Sequence, residues 1–422
     1  MNQRHKNIFY ILTGVILEYF DVMLYIHLAA AISAGIFLTD LPFMARAGYA
    51  FSFLSTVAMR PIGAIIWGHI GDKYGRKVCV SVTPVVVALC CFAITLLPSY
   101  REVGITSVIL FFFIRAIQGL AWIGEKTAAN VYITEVVEFK KAGLYTSLAG
   151  ASEGVGEIIA LALISFFLTF YPEAGWRYPF IIGGLVALFS IPLRRNLEES
   201  KEYLESKKRL DNFKEFGEKT LRRVKFQEVL AQYKSVLFKF FVIEMLFGAG
   251  FFFVYIFNGE ILAKECGLSP ANVASHNLGV SLVQTMIILM FGFMSLKWDG
   301  LKIVQHRVLI YLFSLPLIFW YYLSGEITEF KIYVTQILIC LLGMDHIPCL
   351  AHLVKPLPVL VRMRGFAFSY AMGKVLMYII TTFGLAYLAL EFGKASILVF
   401  FMIVTAAVSW AIWTYPPAQN QG

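Results

Sequence analysis

Apolar residues run along this chain in long blocks separated by short polar punctuation, and the blocks have the length of membrane helices. A hydrocarbon core about 30 Å thick is crossed by about 20 residues of helix. Twelve blocks meet that length, at roughly 8–36, 44–70, 78–98, 104–134, 142–171, 177–194, 236–262, 272–296, 303–324, 331–353, 363–390 and 395–415. Between them stand Asp40 and Pro42, Asp72–Lys77, Pro98–Glu102, Glu138–Lys141, Pro172–Gly175, Lys297–Lys302, Gly325–Glu329 and Pro356–Pro358. One segment, 195–235, breaks the pattern. It is long, rich in Lys, Arg and Glu, and poor in apolar residues. It divides the chain into 1–194 and 236–422, each with six predicted spans. The expected fold is an all-α membrane protein with twelve transmembrane helices in two pseudo-symmetric six-helix bundles. The simplest role for 195–235 is a solvated, charged connector. The first block begins near Ile8 with no small-residue cleavage site behind it, so it reads as a span and not as a removable signal.

Composition narrows the class. The chain has 422 residues, 59% hydrophobic and 15% charged, with a mean hydropathy of +0.72. Soluble domains are about 45–50% apolar and about 25% charged, so a soluble enzyme, a disordered chain and a disulfide scaffold are excluded. None of the six cysteines forms a C-x-x-C pair, and neither a zinc site nor a disulfide framework is expected. The net charge of +9 fits loop bias better than nucleic-acid binding. Most Lys and Arg fall on one set of loops (Arg4, Lys6, Lys73, Arg76, Lys77, Lys140, Lys141, the central block, Lys297, Lys302, Arg307, Lys355, Arg362 and Arg364). Few fall on the other (Arg46, Arg101, Arg177, Lys264, Lys331 and Lys394). By the positive-inside bias both termini and the central block are expected in the cytoplasm.

Charges inside spans are costly, at least about 2.5–3.5 kcal/mol on insertion scales, and each one needs a reason. Glu18 and Asp21, three apart, share a face of span one. Two carboxyls this close resist simultaneous ionisation, which suits proton uptake and release. A structural pair with Arg115 is the competing reading. Arg115, Gly119, Trp122 and Lys126 follow one face of span four, where two cations and an indole suit a substrate bearing a carboxylate or a cationic head. Glu125 lies off that face. Glu153 and Glu157, four apart in span five, are a second proton site or partners for Lys126. Lys374 in span eleven has no charge partner nearby in sequence and is the second-half candidate for an anion contact. Asp345-His346 is a weaker candidate. Gly14 and Gly119 read as points of close helix approach.

Gly68-His-Ile-Gly-Asp72-Lys-Tyr-Gly75-Arg76-Lys77 occupies the loop between spans two and three. Its glycines permit close approach, and Asp72, Arg76 and Lys77 can pair across it. This segment resembles the signature loop of the major facilitator superfamily. With Glu18-Tyr-Phe-Asp21, Arg60-Pro-Ile-Gly63, Arg115-Ala-Ile-Gln118-Gly119, Gly124-Glu125, Gly175-Trp-Arg-Tyr-Pro-Phe180 and Leu197-Glu-Glu-Ser200 in order, the chain resembles the metabolite:proton symporter branch, which includes proline/betaine and 2-oxoglutarate carriers. In the second half, Pro358-Val-Leu-Val-Arg362-Met-Arg-Gly365 fits less closely. The second copy of the signature loop is degenerate, with Leu296 at the aspartate position and Asp299-Gly300 in place of Gly-Arg. The chain ends soon after its last span, without the heptad extension of osmosensing members, so osmotic activation is not expected.

The resemblance implies proton-coupled symport of a small carboxylate-bearing or zwitterionic metabolite by alternating access. Glu18, Asp21, Glu125, Glu153 and Glu157 are then the proton-coupling candidates. Arg115, Trp122, Lys126 and Lys374 are the substrate contacts, and Gly68, Asp72, Gly75, Arg76 and Lys77 form the gating loop. No cofactor, metal or catalytic residue is expected; the partners are the substrate, protons and the bilayer. The family default is a monomer in a bacterial inner membrane. A passive facilitator and a non-transporting sensor of the same fold are the alternatives. Two enzyme-like patterns are rejected. Gly150–Gly154 reads G-x-S-x-G, and Gly119–Thr127 is one residue from a P-loop, but both lie inside predicted spans where the strand–turn–helix context is missing.

Overall fold

In the computed structural model the fold is described for residues 3–36, 56–171, 175–215, 231–343, 345, 347–393 and 395–416, and every regular element among them is helical. In chain order the α-helices of five residues or more are α1 (Gln3–Ile36), α2 (Arg60–Tyr74), α3 (Arg76–Thr95), α4 (Ile105–Val136), α5 (Phe139–Phe170), α6 (Arg177–Arg195) and α7 (Lys201–Glu215). The second half continues with α8 (Lys234–Phe251), α9 (Asn258–Lys264), α10 (Pro270–Met294), α11 (Gly300–Leu323), α12 (Glu329–Leu342), α13 (Leu350–Val354), α14 (Val359–Ile379), α15 (Ala386–Phe392) and α16 (Ala395–Trp413). Among the described residues nine helices are long and apolar enough to cross a membrane. The chain is an integral, multi-pass membrane protein.

The remaining predicted spans differ in length. Span two is described only from residue 56; the Asp40/Pro42 break and Arg46 lie outside the described residues, as do Lys394 and residues 216–230. In α6 the apolar stretch is Arg177–Phe189. The predicted span 331–353 is not one helix. α12 stops at Gly343, and α13 resumes only at Leu350. His346 lies outside the described residues.

Local chemistry sets the helix ends. Ser269 caps α10 by accepting from the Asn272 N–H, with Pro270 in the first turn. Asp299 caps α11 by accepting from the Leu301 and Lys302 N–H groups. That is a role for the residue that departs from the signature pattern. Gly75, at φ 108°, turns α2 sharply into α3.

Two π-helical turns interrupt apolar runs that read as regular helix, at Phe252–Phe257 and Ile380–Leu385. At the first, side chains occupy backbone carbonyls: Asn258 Nδ2 donates to Phe253 O at 3.0 Å and Gln336 Nε2 donates to Val254 O at 2.6 Å. Such turns often mark functional positions.

The two most extensive helix pairs between the first-half helices and the second-half ones are α5 along α10 and α2 along α14. Within the halves, α1 lies on α5, α3 on α6 and α8 on α14. Charged side chains of α1, α4, α5, α8 and α14 are buried between these helices.

Candidate functional site

The buried charges sort into four groups. The first lies where α2, α4 and α14 meet. The Arg60 guanidinium sits 4.0 Å from the Trp122 ring centre and 6.0 Å from that of Tyr378. Trp122 in turn lies 6.3 Å from Tyr370, and the Lys374 ammonium sits 4.7 Å over Tyr370 and 3.4 Å over Phe247. Lys374 also faces Glu244 Oε2 at 3.9 Å. Its counter-ion is on α8, 130 residues away in sequence, where sequence proximity could not show it. Arg60 Nε and Trp122 Nε1 are buried with no hydrogen-bond partner among the described residues. A buried donor left unpaired costs about 1–3 kcal/mol.

The second group is on α1, α4 and α5. Lys126 pairs with Glu153, one of the two arrangements its sequence position allowed, and its ammonium lies 5.7 Å from the Tyr19 ring. Glu18 is 5% exposed, and neither carboxyl oxygen has a hydrogen-bond partner among the described residues. The charged groups acting most on it are Glu125, Lys126, Glu153 and Arg194. Glu125 turns from the Lys126 face, as expected, and binds Arg194 Nη2 at 2.5 Å and the Thr83 hydroxyl at 3.2 Å. Arg194, at the end of predicted span six, is buried, and Gly14 makes room for it, since a Cβ there would collide with Arg194 Nη2.

Asp21 and Arg115 form the third group. Asp21 accepts from Cys91 Sγ at 2.7 Å and from Gln118 Nε2 at 3.4 Å. Arg115 donates to Gln118 Oε1 at 2.6 Å and to the Thr56 hydroxyl at 3.1 Å, and stacks 3.7 Å over Tyr25. Arg115 therefore reaches Asp21 only through Gln118. The competing reading, a structural pair with Arg115, takes the form of a Gln118 bridge to Asp21 with no ion pair recorded among the described residues, and the two carboxyls have separate surroundings although they share a helix face. Glu157 stands apart again, with His27 Nε2 at 3.9 Å and the ring of Tyr255 beyond it at 5.8 Å from that histidine.

The fourth group is the Gly68–Lys77 loop. Asp72 accepts from the backbone N–H groups of Met363 and Arg364, each at 3.1 Å, and lies 3.5 Å from Arg364 Nε and 3.6 Å from Arg76 Nη1. Arg76 donates to Gly71 O at 2.7 Å, Val359 O at 2.6 Å and Glu135 Oε1 at 2.9 Å. Arg362 joins Glu135 at 3.1 Å and Glu202 at 2.9 Å. A Cβ on Gly68 would stand 2.7 Å from Arg364 Cα, so only glycine lets α2 approach α14 this closely. The Lys77 N–H donates to Glu199 Oε2 at 3.1 Å, and Ser200 Oγ donates to Glu135 Oε2 at 2.6 Å. Leu197, Ser200 and Tyr203 are buried. The start of the 195–235 segment is thus clasped into this end of the bundle and is not a solvated connector. Burial pushes the Glu199 carboxyl above its ordinary range, against the opposing N–H bonds of Ser200 and Lys77.

Sequence reasoning passed over Glu244, His27 and Arg194. It met Arg60 only inside a motif. An acidic residue within an apolar run was signal enough for Glu244.

Comparison with known proteins follows the same outline. Residues 11–350 match the description of the major facilitator superfamily. A Staphylococcus haemolyticus protein named "Putative proline/betaine transporter" is 36% identical over 242 residues, covering 55% of this chain and 51% of the relative. The "Proline/betaine transporter" of Escherichia coli K12 is 29% identical over 226 residues, covering 52% of this chain and 45% of the relative. The chain spans about half the length of these curated relatives. Among solved structures, the proton:xylose symporter XylE bound to 6-bromo-6-deoxy-D-glucose superposes with a TM-score of 0.79 at 14% identity, covering 98% of this chain and 96% of that one. At that identity the likeness concerns the fold alone.

Proposed function

The chain belongs to the major facilitator superfamily, and from that premise we propose that it is a secondary transporter coupling proton movement to import of a small zwitterionic metabolite of the proline or betaine type. The observation that carries this reading is the α2–α4–α14 cluster. Arg60 and Trp122 hold unpaired buried donors there, beside the π faces of Tyr370 and Phe247 and the Lys374–Glu244 pair. A carboxylate would be gripped by Arg60 with Lys374 in support. A quaternary or secondary ammonium offers few or no hydrogen bonds, so aromatic side chains and a carboxylate suit it, and Trp122, Tyr370 and Glu244 are the ones gathered in this cluster. Arg60 takes the role that Arg115 holds in the sequence reading, because Arg115 is already engaged by Gln118, Thr56 and Tyr25.

Glu18 is the first candidate for the proton, as a buried carboxyl without a hydrogen-bond partner next to the Lys126–Glu153 pair. Asp21, Glu125, Glu153 and Glu157 stand behind it, each with a named neighbour. Alternating access follows from two halves, 1–194 and 236–422, that separate at the Asp72–Arg364 end while the opposite end closes. The loop-charge bias puts that end, and both termini, in the cytoplasm, in a bacterial inner membrane. No cofactor is required; a monomer with its bilayer suffices.

Isothermal titration of the purified protein with proline, glycine betaine and a dicarboxylate tests the site. Arg60→Gln should abolish binding that Arg115→Gln only weakens. Undiminished binding by Arg60→Gln would remove Arg60 from the substrate site.

A further inference from the structure

At the end of the bundle that holds Asp72, the two copies of the signature loop are used differently. In the first copy Asp72 ties α2 to α14. In the second, Leu296 stands at the aspartate position and is 50% exposed. A cleft of about 300 Å³ opens there, between the start of α5 and the turn from α10 into α11, a size within the range of small-ligand pockets. Lys140 lines it from the first half and Lys297 from the second. Both are exposed, and neither is in an ion pair among the described residues. The one acidic side chain on the cleft wall is already committed. Asp299 caps α11 through the Leu301 and Lys302 N–H groups, and its other carboxyl oxygen lies 3.2 Å from His352 Nε2. Two cations on opposite walls, without an acid to share, favour an anion between them.

The rim of the cleft narrows the kind of anion. On α10 the residues Met286, Met290 and Phe293 form an exposed apolar stripe, and Leu296 and the 59% exposed Trp298 follow it at the cleft. On α11 the exposed residues Trp320, Leu317, Phe313 and Ile310 fall on one face that runs down to the exposed Lys302. Apolar stripes that end in an indole and lysines mark the headgroup level of a bilayer. A soluble anion would use the lysines and leave the stripes unused, whereas a phospholipid uses both.

We propose that this cleft binds the phosphate of an anionic phospholipid between Lys140 and Lys297, with the acyl chains lying along the exposed stripe of α10. The bound phosphate bridges the two halves at the loop copy whose aspartate is replaced. By the loop-charge bias the site lies in the cytoplasmic leaflet, where anionic lipids attract basic side chains. It shares no residue with the Arg60 cluster or the Glu18 surroundings, so it does not depend on the substrate or on the coupling residue.

Tryptophan quenching by brominated lipid tests this on the full-length protein in phosphatidylcholine vesicles. The difference between wild type and Trp298→Phe isolates the Trp298 signal. Dibrominated phosphatidylglycerol should quench that signal at a lower mole fraction than dibrominated phosphatidylcholine. A lysine near the membrane surface favours an anionic lipid about fivefold. Lys140→Gln and Lys297→Gln should therefore each shift the curve about fivefold to higher mole fraction, and the double variant about thirtyfold. Lys141→Gln loses the same charge one residue away, where the ammonium faces Glu138, and should leave the curve in place. Equal quenching by the two lipids would overturn the proposal, and so would a shift in Lys141→Gln as large as that in Lys140→Gln. Displacement of the lipid by free glycerol 3-phosphate would also overturn it, by making the cleft a site for a soluble phosphate. No transported substrate enters these readings, so they stand or fall separately from the substrate assignment.

Discussion

Replacing Asp72 with alanine removes the acceptor for two backbone N–H groups of α14, those of Met363 and Arg364 at 3.1 Å each, and leaves Arg364 and Arg76 with one fewer counter-ion. The carboxylate is 1% exposed, so water does not compete for these bonds. A hydrogen bond to a charged group contributes about 1.5–3 kcal/mol. At the lower bound the two bonds sum to about 3 kcal/mol, roughly a hundredfold in the equilibrium between this end closed and open. Asp72→Asn should fall between wild type and alanine, because its amide oxygen still accepts one backbone N–H while its nitrogen faces the other, donor to donor. Lys140 and Lys297 are exposed on opposite sides of a cleft of about 300 Å³ at the ends of α5 and α10. Spin labels on cysteines at these two positions, in a Cys266→Ser background, report opening by double electron–electron resonance. The wild type should give a short distance and Asp72→Ala a second, longer population. An unchanged distance distribution in Asp72→Ala would refute the assignment of Asp72 as a clasp between the two helices.

Arg194→Ala leaves Glu125 buried without its partner and should cost about 3–5 kcal/mol, read as a fall in melting temperature that Glu125→Gln/Arg194→Met partly restores. Gly14→Val places side-chain carbon where the Arg194 guanidinium lies; it should destabilise the protein alone and do so far less in combination with Arg194→Ala. Glu199 is pushed above its ordinary range by burial, so its ionised form opposes the fold. Wild type should therefore gain stability relative to Glu199→Gln as pH falls from the raised value toward about 4.3, with no further gain below it. Parallel pH profiles of melting temperature would count against that.

Most spans were legible because apolar block length is a direct physical constraint, and so was the close approach at Gly68, while the Lys126–Glu153 pair was one of the arrangements left open. Partners distant in sequence were not. Arg307 reads as a loop cation from the chain alone, yet it is buried on Asp345 at 3.2 Å, and Arg194, at the end of predicted span six, is buried on Glu125. Nothing in local spacing announces a counter-ion tens of residues away. The π turn at Phe252–Phe257 is invisible for another reason: its residues are uniformly apolar, and the polar side chains that occupy its carbonyls come from Asn258 and, on another helix, Gln336. The face shared by Glu18 and Asp21 was read correctly as geometry and wrongly as one environment. Neighbouring helices bring Cys91 and Gln118 to Asp21, while Glu18 lies within the field of Lys126, Glu125 and Arg194.

Proton-coupled transport is tested most directly by substrate-induced proton movement in proteoliposomes with a pH-sensitive dye trapped inside. Adding proline or glycine betaine outside should acidify the lumen with the wild type, and not with Glu18→Gln or Arg60→Gln. Substrate entry with no acidification would contradict proton coupling and leave a facilitator of the same fold.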